Sequence, residues 1–206
     1  MHTVLTHPLV KHRVTLMRDI NTKPKLFREL VNEITEFLAI EGLRDLRTVE
    51  VPVTTPVAKT TGVKIEDSIV IVPILRAGMG MLGAMLNVLP YAKVGVLWMQ
   101  RDETTAESVP YYAKVPHAKG DELAVVIDPM LATGGSACDA FDQLKKLGYR
   151  RIVFLNLIAA PEGIARVEKE HPDVPVFTAA KDERLNSHFY IVPGLGDAGD
   201  RIFGTL

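Results

Sequence analysis

The chain has 206 residues, 47% apolar and 24% charged, with 24 Lys and Arg against 25 Asp and Glu for a formal net charge of −1. That composition excludes disorder, and the balanced charge leaves no bulk attraction for nucleic acid or an anionic membrane. One cysteine, Cys138, and an uncharged apolar stretch of at most 16 residues (77–92) argue against disulfides, a multi-cysteine zinc site and a membrane span, so the expectation is a soluble cytoplasmic protein without a secretion leader.

In chain order, the first strong signal is a helix beginning near Pro24, with Asn21 or Thr22 as its cap and the proline in its first turn. Leu26, Phe27, Leu30, Val31, Ile34, Phe37 and Leu38 recur at three- and four-residue spacing and give it one apolar face. Residues 49–60 alternate and contain two prolines, which reads as an edge strand or an extended arm. From Ser68 onward the pattern changes. Short apolar runs at 69–75, 94–99, 123–127, 152–158 and 174–178 read as strands buried on both faces. Helical stretches at 80–89, 136–147 and 162–169 lie between them. Alternating strand and helix predicts an α/β fold with a doubly wound, mostly parallel sheet, whose ligands bind beyond the carboxyl ends of the strands. One domain is expected, with a core at about 68–180 and appendages at 1–67 and 181–206.

Two strand ends carry chemistry. After the first buried strand, residues 78–83 spell G-x-G-x-x-G, with Asp102 about 20 residues further on, which is a dinucleotide fingerprint in its expected setting. The same glycines also suit a tight turn into a closely packed helix. Arg76 places a guanidinium at this strand end, suited to paired hydrogen bonds with a phosphate or pyrophosphate. At the second strand end, the apolar run to Ile127 passes into Asp128-Pro129-Met130-Leu131-Ala132-Thr133-Gly134-Gly135-Ser136 and then a helix. Backbone N–H groups, two hydroxyls and the helix dipole make an anion cradle, and no Lys follows the glycines as a Walker loop requires. A sugar phosphate reconciles the acid with the cradle, because its hydroxyls can meet Asp128 while its phosphate lies over the glycines.

These residues resemble the phosphoribosyl-pyrophosphate loop of type I phosphoribosyltransferases, and in the form DPM-ATGGS that of the uracil branch. Pro73 to Gly78 (PILRAG) is similar to that family's pyrophosphate loop. Arg101-Asp102-Glu103-Thr104 with Tyr111-Tyr112 is similar to its active-site loop, and the run from Tyr190 to Arg201 (YIVPGLGDAGDR) to its uracil-binding segment. The opening, with His7-Pro8-Leu9-Val10 and Arg18-Asp19, extends the likeness over nearly the whole chain. The resemblance implies a sheet of the type I phosphoribosyltransferase kind with a small C-terminal base-binding hood. It also implies transfer of the phosphoribosyl group to uracil, giving UMP and pyrophosphate in pyrimidine salvage.

In that reading residues 128–136 hold the sugar phosphate and ribose hydroxyls, Arg76 and Arg101 hold pyrophosphate, and Asp197 meets the pyrophosphate or its magnesium shell. Arg76, Arg101 and Asp197 are the expected catalytic set, Asp197 being the nearest general base, and Mg²⁺ is expected to arrive with the substrate. Uracil is read by backbone groups of Ile191, Gly196, Asp197 and Ala198, in a segment whose small residues let backbone approach a flat ring. Relatives are dimers or tetramers and some are activated by GTP, although no segment here marks a second nucleotide site. Three features depart from the family pattern. A single acid precedes Pro129 where related transferases often have two, although one is typical of the uracil branch; Gln100 stands before Arg101 where many relatives have Tyr, and Ser187-His188-Phe189-Tyr190 replaces a common Asp-His-Gly-Tyr. The last bears on pyrimidine selectivity. None of the six His has a Cys or acid at metal-ligand spacing, and Cys138 reads as a small core residue. Two other functions compete with the leading one: a non-catalytic nucleotide-sensing regulator on the same fold, and a dinucleotide-binding oxidoreductase resting on residues 78–83.

Overall fold

A computed structural model describes residues 1–101 and 108–205, and of residues 99–101 and 108–112 the backbone alone. The chain opens with β1 (His2–Val4), α1 (Pro8–Arg18), α2 (Pro24–Gly42) and a hairpin of β2 (Thr48–Thr54) and β3 (Lys59–Ile65). Next come β4 (Ile69–Leu75), α3 (Met79–Val88), β5 (Lys93–Val94), β6 (Val96–Arg101), β7 (Ser108–Lys114), β8 (Leu123–Ile127) and β9 (Met130–Leu131). Then follow α4 (Gly135–Lys146), β10 (Arg151–Ala159), α5 (Pro161–Glu170), β11 (Val176–Lys181), β12 (Arg184–Leu185), β13 (Ile191–Val192) and α6 (Ala198–Phe203).

The main sheet has the order β1-β11-β10-β8-β4-β6-β7 and is parallel except for the β6–β7 pair. Period-two alternation sends successive side chains to opposite faces. Ile71, Val125, Val153 and Leu155 join α1, α2, α3 and α6 in one core, while Val70, Val72, Val126 and Phe154 join α4 and α5 in the other. Burial on both faces is why these strands read as unbroken apolar runs. The sheet reverses its winding at β4 and β8, and their carboxyl ends open the crevice that such a reversal creates.

The amino ends of these strands are closed by charge. Asp67, its side chain fully buried, accepts from Arg47 Nε at 2.7 Å and from the Arg47 backbone N–H at 2.8 Å, and it pairs with Arg151. The Arg151 bond, set against the cost of burial, holds the Asp67 carboxyl well below the usual carboxylate range.

The N-terminal part differs from expectation in two ways. Lys23, not Asn21 or Thr22, is the N-cap residue of α2, and it makes no side-chain capping bond. The Thr22 hydroxyl instead donates to the Leu16 carbonyl at 2.6 Å, and the Asn21 N–H donates to Asp19, so both residues are spent on the turn leaving α1. Helix α1 itself gave little signal, because its buried stripe is only Val10, Val14 and Met17. The arm is a complete antiparallel hairpin that runs on to Ile65, and most of its residues are exposed. Among the described residues no helix is long and apolar enough to cross a membrane.

Candidate active site

The cleft lies where β4 and β8 end. Past β4 the chain turns through Arg76 into α3, and Gly78 at that turn lies against β8. A β-carbon there would stand 2.5 Å from the Ile127 carbonyl oxygen and 2.6 Å from that of Ile74, so glycine is required by packing. Gly80 packs against the Ile202 side chain, whereas Gly83 faces open space. The G-x-G-x-x-G spacing therefore records a close helix–strand contact. Arg76 Nη2 donates to Asp200 Oδ1 at 2.8 Å, and its guanidinium lies 5.3 Å from the Phe203 ring centroid. The side chain stays more than half exposed, so the ion pair contributes little stability and an anion can compete for the guanidinium.

Past β8 the cradle is held by β10. The Pro129 carbonyl accepts the N–H groups of Leu157 and Ile158 at 3.0 and 3.1 Å, and Met130 and Leu131 pair alongside Ile158 and Ala159. Leu131 is buried in the core, so Pro129 and Leu131 shape the cradle from behind. Gly134 then adopts φ +80°, in the left-handed region that favours glycine, and turns the chain into α4. Thr133, Gly134 and Gly135 thus sit at the N-terminus of a 12-residue helix, with its N–H groups and dipole at the turn. Asp128, at the mouth of the cradle, has no ion pair among the described residues. The residue keeps partial solvent exposure at the cleft wall, but desolvation of its carboxyl, partly offset by the Met130 N–H, pushes it up to about 7.

The C-terminal segment closes the other side. Asp197 caps α6, its Oδ1 accepting the Asp200 N–H at 2.9 Å. A cleft of about 450 Å³ joins the two halves, lined by Asp128, Met130, Ala132 and Ser136 on one side and by Ile191, Gly196, Asp197 and Ala198 on the other. Ala77 also lines it, which puts Arg76 at its border. Asp128, Met130, Ala132 and Ser136 of the expected sugar-phosphate residues thus face one space with all four expected base residues, while Thr133, Gly134 and Gly135 are not among the residues lining it. Arg101 ends β6, but its side chain lies outside the described residues, as do Asp102, Glu103 and Thr104; of Tyr111 and Tyr112 only the backbone is described.

Sequence reasoning missed the groups that fix the base-side loop. Asp182, its side chain almost fully buried, accepts the Gly194 N–H at 2.8 Å and pairs with Arg18, whose Nη1 also donates to the Gly194 carbonyl at 2.7 Å. Arg201 is buried. Its Nη1 donates to the carbonyls of Leu195 and Met17, both at 2.8 Å, its Nη2 donates to that of Asp19 at 2.7 Å, and its guanidinium covers the Phe27 ring. Both backbone groups of Gly194 and the carbonyl of Leu195 are therefore held immediately before Gly196. The only signal for this in the sequence is that Arg18 and Arg201 lie in segments that resemble the family's.

One histidine acquires neighbours that its sequence spacing does not show. Folding brings His171 together with Cys138 and Glu170, with candidate ligand atoms all within 4.8 Å of one another. Two of the three are already engaged by cations: Lys145 Nζ lies 3.0 Å from His171 Nδ1, and Arg166 Nε lies 3.1 Å from Glu170. Burial pushes the Cys138 thiol up to about 12, which keeps it a neutral core residue.

Comparison with known proteins identifies the family and the fold. Residues 4–205 match the family model described as uracil phosphoribosyltransferase. The chain is 53% identical over 203 residues to the uracil phosphoribosyltransferase of Exiguobacterium sibiricum, covering 98% of this chain and 97% of that one. It is 50% identical over 202 residues to that of Acholeplasma laidlawii, with the same coverage. Among solved structures, the AQ2163 protein of Aquifex aeolicus superposes with a TM-score of 0.93 at 40% identity over 98% of each chain. The adenine phosphoribosyl transferase of Trypanosoma brucei, solved with AMP, pyrophosphate and ribose-5-phosphate, shares the fold at a TM-score of 0.60 and 12% identity, over 87% of this chain and 83% of that one. By its motifs, its fold and its full-length relatives, the chain belongs to the uracil phosphoribosyltransferase family.

Proposed function

We propose that the cleft between the N-termini of α4 and α6 is where this chain joins uracil to phosphoribosyl pyrophosphate, giving UMP and pyrophosphate. The observation that carries this reading is the meeting of the Asp128–Ser136 cradle and the Ile191–Ala198 segment across one 450 Å³ space. The sugar 5′-phosphate lies over the Thr133–Ser136 turn, where N–H groups, the two hydroxyls and the α4 dipole receive it. Ribose hydroxyls donate to Asp128. The pyrophosphate takes the Arg76 guanidinium from Asp200, and Arg101 serves the same group. Backbone groups of Ile191 and of Gly196 to Ala198 read the alternating donors and acceptors of the uracil edge. Cytosine presents an amino group where uracil has a carbonyl, which leaves groups unpaired at a cost of about 1–3 kcal/mol each.

Charge flow assigns the remaining roles. As the glycosidic bond to pyrophosphate breaks, negative charge grows on the leaving oxygens, and cationic donors already aimed there lower the barrier most. Arg76 fits that role. A carboxylate at the cradle with no countercharge among the described residues, and no protein cage around it, fits a magnesium ion delivered by the substrate. Asp128 and Asp197 would help hold the ion, which would neutralise pyrophosphate charge. Asp197 is the nearest base for the uracil ring proton. The exposed Val49, Val53, Val63 and Ile65 of the β2–β3 arm support a homodimer or homotetramer. The test is to supply labelled uracil, phosphoribosyl pyrophosphate and magnesium, with cytosine, orotate and hypoxanthine in parallel. UMP from uracil and no product from the other bases is expected. No UMP at any pH or metal concentration, or equal use of another base, overturns the assignment.

A further inference from the structure

Among the described residues outside glycine, Phe189 alone has a positive φ, at 61°. A bulky side chain in this region is a backbone outlier that a glycine would occupy without cost, and such strain persists only where neighbouring bonds enforce it. Here Asn186 supplies bonds that enforce it. Asn186 begins the five-residue loop between β12 and β13, and it takes three successive N–H groups. Its Oδ1 accepts from His188 at 2.9 Å and from Tyr190 at 3.0 Å, and its backbone carbonyl accepts from Phe189 at 3.0 Å. The loop is closed by the Asn186 N–H donating to the Tyr190 carbonyl at 2.9 Å. The residue so placed is 56% exposed and lines the active-site cleft together with Ile191 and Gly196.

We propose that Phe189 is a specificity residue for the nucleobase: its ring supplies an apolar face for the flat pyrimidine, and Asn186 is the positioning residue that holds it there. This rests on the reading that Ile191 and Gly196 to Ala198 take the base. Those backbone groups meet only the ring's edge, and an aromatic side chain on the same wall covers a face that would otherwise stay wet. A strained backbone is then tolerated because glycine, although it fits the turn, has nothing to offer the base.

The test separates holding the loop from meeting the base. Phe189→Gly is expected to raise KM for uracil by about five- to tenfold, as loss of one aromatic contact implies. KM for phosphoribosyl pyrophosphate stays within twofold, and Tm stays level or rises by about 2 °C as the turn relaxes. Phe189→Tyr, which keeps a ring, retains the native uracil KM, and Asn186→Ala reproduces the uracil defect with the ring still present. Uracil KM within twofold of native in Phe189→Gly overturns the proposal. So does a fall in Tm with both KM values rising together, which makes the residue structural. Amide spectra of the unaltered protein, titrated with uracil in the presence of pyrophosphate, test the underlying reading. If Gly196 and Ala198 do not respond, the base site lies elsewhere and the proposal falls with it. If they respond while Phe189→Gly keeps its native uracil KM, the proposal alone falls.

Discussion

Two aspartates at opposite ends of the same pair of strands have opposite fates. Asp67 precedes β4 and meets Arg151 and Arg47 at the closed end of the sheet, where its charge is held firmly. Asp128 follows β8 at the open end, where burial without an ion pair pushes its carboxyl up to about 7. β4 and β8 run parallel from Ile69 opposite Leu123 to Pro73 opposite Ile127, so the two carboxyls are separated by little more than the length of one strand pair. At the closed end the fold satisfies its charges internally. At the open end it leaves the Asp128 carboxyl without an ion pair among the described residues and parks Arg76 in an exposed, exchangeable one. The difference separates what holds the protein together from what is held ready for a ligand.

Breaking the open end costs activity. Arg76→Ala is expected to lower kcat by about 10²- to 10³-fold, with Tm within 2 °C of native, since its own guanidinium is more than half exposed in the ion pair with Asp200 and its partner in the reaction is the leaving group. Steady-state kinetics beside a melting curve checks this, and parallel losses would make Arg76 structural. Breaking the closed end costs stability. Asp67→Ala strands two arginines that remain partly solvated, and about 2–3 kcal/mol is expected, seen as a Tm lower by about 5–10 °C with kcat per folded molecule unchanged.

The two ends also separate by pH. Asp67 has a depressed folded pKa, so its contribution is present above about pH 4 and is lost as pH falls into the acid range. Asp128 has a raised one. The folded state holds its proton after the unfolded chain has released it, so stability declines as pH rises from about 4 to about 7 and is level above. Asp128→Asn removes that decline, and denaturant titrations should find the variant gaining about 2 kcal/mol on the native protein between pH 4 and pH 8. Its affinity for phosphoribosyl pyrophosphate should in turn lose the native rise between pH 6 and pH 8. The smallest effect expected is at Gly134, where alanine meets φ +80° and a β-carbon would stand 3.0 Å from the Gly163 carbonyl oxygen. A loss of about 1 kcal/mol, with KM for the sugar pyrophosphate raised and uracil KM unchanged, would place that strain in the cradle.

Much of this was legible in the sequence where the causes are local. The limits of β4 and β8 were read to the residue because both faces of each strand are buried, and the cradle was read because its acid, glycines and hydroxyls are consecutive. Helix α1 was not, since three buried residues among charged ones leave too narrow a stripe. Pairings between distant residues were also invisible. Arg18 meets Asp182 across 164 positions and Arg76 meets Asp200 across 124, and nothing in either segment names its partner. Phe189 shows the same limit differently. The sequence marks the residue as a departure, but its left-handed backbone is supported by the bonds of Asn186, which appear only once the hairpin closes.

The most direct test of this division is to follow the side-chain carboxyl carbons of both aspartates by NMR as pH is varied without ligand. The account predicts that the Asp128 signal titrates near pH 7 and that the Asp67 signal stays ionised down to the acid limit of the fold. An ordinary midpoint near pH 4 for Asp128 would contradict it, because the carboxyl at the open end would then be solvated and ionised before any ligand arrives.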